Sequence, residues 1–381
     1  MLCRLSFWVP VVALGVVAGL VPSASAAPFG AGDLVVYRVG SGTGSLVNTG
    51  SPVYLDEYTP AGALVQSIAM PTTASGLQKP LIASGTATSE GFLSLSTDGR
   101  YLLLTGYGTT LGGSTSLSGT TAAAVNRVVG RVDPNGTIDT STALTDFADT
   151  NNPRGATSTN GTDLWVGGAA GGVRYTTLGA TTSTQLSTAA SNIRQVAIVG
   201  GQLYVSTSSA NYYVSAVGAG TPETTGQTMT ALSPLTGVTS PDAFVLLDES
   251  PTVAGLDTLY VADDAGGIFK YCLVGGVWTA EGSKGNGSNA YRGLTATWDG
   301  SNVTLYTTRK GGSGASGGGE LASIVDASGF GATMTGSFTL MATAASNEAF
   351  RGVALAPVPE PCTLALLALG GVLALGRRNR K

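Results

Sequence analysis

The sequence predicts an all-β fold, and three observations carry that expectation. The chain has 381 residues, with 56 Gly and 16 Pro, yet it is 43% hydrophobic and only 11% charged. That apolar content is enough for a large core, so the chain does not read as disordered. Between residues 28 and 357 no amphipathic helix is found; short apolar-alternating runs are separated by Gly, Asn, Asp and Ser, the pattern of antiparallel sheet. One phrase then recurs at strand openings: Asn152-Pro153-Arg154-Gly155, Asn192-Ile193-Arg194-Gln195, Ala290-Tyr291-Arg292-Gly293 and Ala349-Phe350-Arg351-Gly352.

Residues 1–26 are the first element. Arg4 precedes an apolar stretch over residues 7–21, and small side chains follow at Ala24, Ala26 and Ala27. This is the pattern of a helical secretory signal peptide, with cleavage expected after Ala26 by signal peptidase at the secretion machinery. The apolar stretch is shorter than the roughly 20 residues of a spanning helix. Cys3 leaves with the peptide.

The body, residues 27–356, repeats. Three phrase copies lead through a turn to a second strand, for example Asn160-Gly161-Thr162-Asp163 before Leu164-Trp165-Val166. Degenerate copies open at Glu90-Gly91-Phe92 and at Pro241-Asp242-Ala243-Phe244. From Arg154 the repeat returns at Arg194, Asp242, Arg292 and Arg351, at spacings of 40 to 59 residues, which is the length of a four-stranded propeller blade with variable loops. The last copy has no second strand after it, whereas residues 34–39, 53–59 and 63–69 are strands without a partner set. Pairing the C-terminal strand with these N-terminal ones closes a ring without a free edge. The expected fold is a β-propeller of six four-stranded blades. The body resembles a bacterial surface β-propeller in repeat logic, without a WD or Kelch motif.

Residues 357–381 form the last element. Pro359, Glu360 and Pro361 make a stiff, helix-refusing segment; a Leu- and Ala-rich run over residues 363–376 follows, then Arg377, Arg378, Arg380 and Lys381. The run is expected to be a transmembrane helix whose basic end stays cytoplasmic. This tail resembles the PEP-CTERM sorting domain of Gram-negative bacteria. The resemblance implies an exosortase-type partner, a transient stay in the inner membrane, and delivery to the cell surface or extracellular polymer matrix.

Composition excludes much chemistry. There is no His, so neither a Ser-His-Asp nor a Cys-His pair nor an imidazole metal ligand exists. Arg4 and the four tail residues hold five of the 19 basic residues, while Glu360 is the one acid of 23 outside the body. The body is therefore more acidic than the net charge of −4, and a nucleic-acid footprint is absent. With Cys3 removed, Cys272 in an apolar strand and Cys362 beside the sorting motif, no disulfide within the body is expected.

Innermost blade strands line a propeller's channel, so Arg154, Arg194, Arg292 and Arg351, with Glu90, Asn152, Asn192, Asp242, Asn289 and Glu348, are candidate binding residues at one channel mouth. The favoured alternative is structural: an Arg fork holding neighbouring carbonyls in each blade. A calcium-dependent hydrolase resembling the gluconolactonase or paraoxonase type would draw on Glu90, Asp242 and Glu348, with the amides, as oxygen ligands. Against it, half of the candidates are amides and no His is present. Asp263-Asp264-Ala265-Gly266-Gly267 reads as a hairpin turn and Lys310 with the following glycines as a surface loop. Tyr107, Tyr212, Tyr213, Trp165 and Trp278 read as packing residues rather than sugar platforms. The expected function is a non-catalytic binding or structural protein of the cell surface or matrix, without cofactor or metal; surface polysaccharide is the candidate ligand.

Overall fold

A computed structural model describes residues 26–310 and 317–359. The expected signal helix, the apolar tail helix, Ala24, Glu360, Pro361 and the basic residues 377–381 lie outside the described residues; Ala26, Ala27 and Pro359 lie within them. Regular structure among the described residues is all β apart from two 3-10 turns, Leu117–Gly119 and Gly287–Asn289.

Four antiparallel sheets are discrete and four-stranded. The first comprises Pro153–Ser158, Asp163–Gly168, Val173–Thr177 and Thr184–Gln185. The second comprises Val196–Val199, Gln202–Ser206, Val214–Val217 and Met229–Ala231. Pro241–Leu247, Thr258–Asp263, Gly267–Val274 and Val277–Lys284 make the third. Leu294–Trp298, Val303–Arg309, Glu320–Asp326 and Thr339–Thr343 make the fourth.

The other ten strands belong to one sheet. At one side Glu348–Leu355 pairs with Leu34–Val39, which pairs with Ser51–Tyr58 and then Leu64–Ala69. At the other side Ser94–Leu95, Leu102–Tyr107, Arg127–Val132 and Ile138–Leu144 follow in order. Two-residue Ile82–Ala83 welds these sets, with Pro52 opposite Ile82 and Ile82 opposite Tyr107. Gly317–Gly318 runs parallel beside Glu348 and Ala349. The expectation of six separate blades is thus corrected: four blades are discrete, and a short bridging strand makes the remainder continuous. The body remains a propeller-like ring of radial sheets.

The first and last described strands are antiparallel neighbours, with Leu34 opposite Leu355 and Val36 opposite Val353. Val35, Tyr37, Val53, Leu55, Ala349 and Ala354 pack in one cluster there, so side-chain burial accompanies the backbone ladder.

Strict alternation, expected from the sequence, is lost in several inner and second strands. Leu34–Val39, Leu102–Tyr107, Pro153–Ser158 and Thr258–Asp263 are buried at every residue, whereas the peripheral strand Leu64–Ala69 is largely exposed. A strand packed on both faces loses its polar side and reads as a continuous apolar run. Trp165 shows how neighbouring sheets are joined. It is 1% exposed, packs on Tyr175 at 5.3 Å and donates its indole N–H to Pro222 O at 2.8 Å. Truncating such a side chain to Ala costs about 3–5 kcal/mol. The expected turn chemistry is present: Asn160 Oδ1 accepts from Thr162 N and Asp163 N while Gly161 takes φ +81.

Candidate functional site

The site begins with how closely the innermost strands approach one another. Gly352 N donates to Gly91 O at 3.0 Å, and Phe92 N donates to Arg154 O at 3.0 Å. A Cβ on Gly155 would lie 2.9 Å from Arg194 O, and one on Gly293 would lie 3.0 Å from Arg351 O. Phe244 N reaches Gln195 Oε1 at 2.6 Å. These contacts put Glu90, Arg154, Arg194, Asp242, Arg292 and Arg351 at one level around the ring. Further along the same strands, Thr97 N donates to Ser158 O. Adjacent inner strands therefore run the same way, and the charged level is one end of the axial channel. Beyond it the channel holds a cavity of about 160 Å³, lined by Leu95, Thr157, Ile198, Leu246, Thr295 and Leu355 among others.

The arginines mostly bridge to a neighbouring sheet. Arg194 Nη1 donates to Ser240 O and Pro241 O, both at 3.0 Å, and lies 2.9 Å from Asp242 Oδ1. Arg154 Nη1 donates to Asn192 Oδ1. Arg292 Nη2 pairs with Asp264 Oδ2 at 3.2 Å, and Arg351 Nη2 donates to Gly85 O at 3.3 Å. Carbonyl bridging of the kind weighed from the sequence is made by Arg194 and Arg351, whereas Arg154 and Arg292 bond side chains, and donors are left over. Nε of Arg154, Arg194 and Arg292 is buried without a hydrogen bond. Such orphaned donors ordinarily cost about 1–3 kcal/mol each.

The two buried acids differ. Glu90, 4% exposed, accepts from Tyr107 OH at 2.7 Å, Ser84 N at 3.0 Å and Asn152 Nδ2. Burial raises its pKa, and these bonds moderate the rise. Asp242 is fully buried and neither carboxylate oxygen accepts a hydrogen bond, although Arg194 is adjacent. Burial outweighs the Arg194 and Arg292 charges and pushes it up to about 7. Burial, then the Arg194 charge, lowers Arg154 to about 10; burial likewise lowers Arg351 to about 10, with Arg292 adding to the effect.

Two expected members have other partners. Glu348 is salt-bridged to Arg38 at 2.9 Å, and Arg38 also grips Asp56 at 2.5 Å. Asn289 closes the Gly287–Asn289 turn and donates to Tyr291 OH at 3.1 Å. The candidate oxygen ligands are therefore dispersed, and among the described residues no group of three or more His, Cys, Asp or Glu could hold a metal ion. Sequence reading missed Tyr107, Gly85 and two hydroxyls. Ser206 Oγ accepts from Gln195 N and donates to Asp242 O; Thr308 Oγ1 accepts from Gly293 N and donates to Arg351 O. Their only signal was a Ser or Thr at or next to the end of the second strand.

At the opposite end of the channel the chain leaves the body. Ala356 N donates to Asp33 O at 2.8 Å and Val358 N to Gly99 O at 2.9 Å, after which Pro359 is exposed. Residues 357–381 carry the PEP-CTERM protein-sorting motif. A PEP-CTERM tail marks the chain as exported, directed to the surface and processed by an exosortase-type sorting enzyme. No curated protein sequence matches the chain. Among solved structures, the nidogen/laminin complex aligns with a TM-score of 0.47 and 13% identity, covering 85% of this chain and 98% of that one. The extracellular domain of BT4673 from B. thetaiotaomicron gives 0.44 and 14%, over 84% of this chain and 41% of that one. The computationally designed Ika8 protein gives 0.39 and 9%, over 82% and 91%.

Proposed function

We propose that the PEP-CTERM tail delivers a non-catalytic binding or structural propeller to the cell surface or the extracellular polymer matrix. The observation that carries this reading is the engagement of the carboxylates. A general base or a calcium ligand needs oxygen lone pairs directed at substrate or ion. Glu90 has given its own to three donors, Glu348 lies in the Arg38 ion pair, and Asp242 is enclosed by guanidinium groups. A signal peptide removed after Ala26 and a membrane-spanning tail helix complete the proposed route.

Two measurements test it. Changing Pro359, Glu360 and Pro361 to Ala should leave the tail uncut and the protein in the inner membrane; unchanged release would remove the sorting part. Thermal unfolding and metal content of the purified protein, with calcium and with chelator, address the body, since an occupied site raises the melting temperature by linkage. Indifference to chelator is the expected result. A stoichiometric ion, lost together with ester or lactone hydrolysis in Glu348→Gln, overturns the non-catalytic reading.

A further inference from the structure

We propose that Arg154, Arg194 and Arg292 form a receptor for a single oxyanion group, a carboxylate or a sulfate ester of the kind acidic polysaccharides carry. This deepens the binding reading above and rests on it. The first argument is the surplus of donors. A guanidinium has five N–H groups, yet Arg154, 8% exposed, makes one hydrogen bond, to Asn192. Arg194 uses Nη1 alone and Arg292 uses Nη2 alone. The buried Nε of each is without an acceptor.

Charge gives the second argument. Four arginines share this level with three acids: Asp264 is paired with Arg292 at 3.2 Å, and Glu90 already accepts from Tyr107, Ser84 and Asn152. Asp242 is ion-paired with Arg194 at 2.9 Å but accepts no aligned hydrogen bond. Burial first, and the neighbouring guanidinium charges second, lower Arg154 and Arg351. An incoming oxyanion would supply the acceptors and the countercharge together, in the bidentate geometry guanidinium groups favour. In a body that is net acidic, this basic mouth is a local feature rather than a general attraction for polyanions.

Position is the third. The tail leaves from the far end of the same channel, where Val358 is held by Gly99. The arginine mouth therefore faces away from the end that carries the sorting motif, toward whatever the exported body meets. The cavity behind it measures about 160 Å³, with Thr157, Gln195 and Thr295 among its lining residues.

Asp242 makes the site pH-dependent. It feels Arg194, Arg292, Asp264 and Arg154. Below about pH 7 it is neutral and the mouth is more positive; above, its ionised carboxylate competes with the ligand. Binding should weaken as pH rises through 7.

The test is calorimetric titration of the full-length protein in detergent with galacturonate, sulfate and neutral galactose, at constant ionic strength set by sodium chloride. Galacturonate or sulfate should bind and galactose should not. Arg154→Gln and, separately, Arg292→Gln should weaken binding at least tenfold, and Asp242→Asn should remove the loss of affinity between pH 5.5 and 8. Trigalacturonate binding tenfold more tightly than the monomer identifies a polymer as the source; equal affinity identifies a free anion, and either supports the site. Absence of binding by both anions, or binding unchanged in a folded Arg154→Gln or Arg292→Gln variant, overturns it. Hydrolysis of esters by the same preparation would instead remove the non-catalytic reading, whatever the titration shows.

Discussion

Lys270 and Asp326 are both completely buried, 2.9 Å apart, and every polar atom of the pair is occupied. Asp326 accepts from Tyr260 OH at 2.7 Å, Thr335 N at 2.9 Å and Ser328 Oγ at 2.7 Å; Lys270 donates to Ser328 Oγ and Gly329 O. Burial alone would raise the Asp326 pKa, but the bonds from Thr335, Ser328, Tyr260 and Lys270 outweigh it and hold the carboxyl well below its ordinary range. A depressed carboxylate contributes stability that is present above its unfolded pKa, near 3.8, and is lost as pH falls toward the folded value. Asp242 works with the opposite sign: raised to about 7, it holds a proton in the folded state between about pH 4 and 7, so its contribution declines as pH rises across that window. Lys270→Met strands the carboxylate and should destabilise the protein by about 3–5 kcal/mol in urea unfolding at pH 7. Asp326→Asn should be destabilised at pH 7 but show a flatter dependence below pH 4. A Lys270→Met variant as stable as the parent would show that the pair adds nothing.

At the scale of the strand, the recurring phrase has two components with different tasks. Its Arg bridges sheets; its Gly lets inner strands touch. A Cβ on Gly352 would meet Gly91 O and would lie 2.6 Å from Leu93 N, while one on Gly293 would lie 2.8 Å from Val353 N. Gly352→Ala should therefore cost about 3 kcal/mol, because backbone atoms cannot step aside as a side-chain tip can. Gly119→Ala, with nothing within 4 Å of the added carbon, should change stability by less than about 0.5 kcal/mol. Equal melting temperatures for the two variants would refute the close-approach account. The Arg was legible in the sequence because it repeats among apolar neighbours. The role of Gly was not, since glycine ordinarily signals positive φ and these glycines do not adopt it. Asn289 and Glu348 were grouped with the Arg from their place beside it in the sequence; in the structure Asn289 ends a 3-10 turn and Glu348 is ion-paired with Arg38.

For the whole molecule, ring closure rests on the ladder between Glu348–Leu355 and Leu34–Val39. Deleting residues 351–356 removes that ladder, the Thr308 contact to Arg351 and the Gly91 contact to Gly352. The truncated protein should unfold well below the intact one and aggregate through its exposed edges, as calorimetry and light scattering would register; an unchanged transition would contradict closure. This pairing was readable because three N-terminal strands lacked a fourth. The ten-stranded sheet was not, because Ile82–Ala83 is two residues long and carries no periodicity. Packing of a second strand on both faces likewise erased the alternation that sequence reading relies on.

The hydrogen bond from Val358 to Gly99 also sets a length. Four residues, 359–362, separate that anchor from the apolar run that starts at Thr363. Fully extended, they reach about 15 Å at most. In the proposed topology the folded body must then stand almost against the bilayer until the tail is cut. A small domain measures roughly 30 Å across, so a sorting enzyme cannot stand between the body and the lipid. In that topology it would have to reach Pro359 sideways along the membrane surface, or from within the bilayer, past the turn that carries Gly99. With the proposed spanning tail, folding of the body would act as a gauge on the substrate, limiting how much of the tail any enzyme can grasp and from which direction.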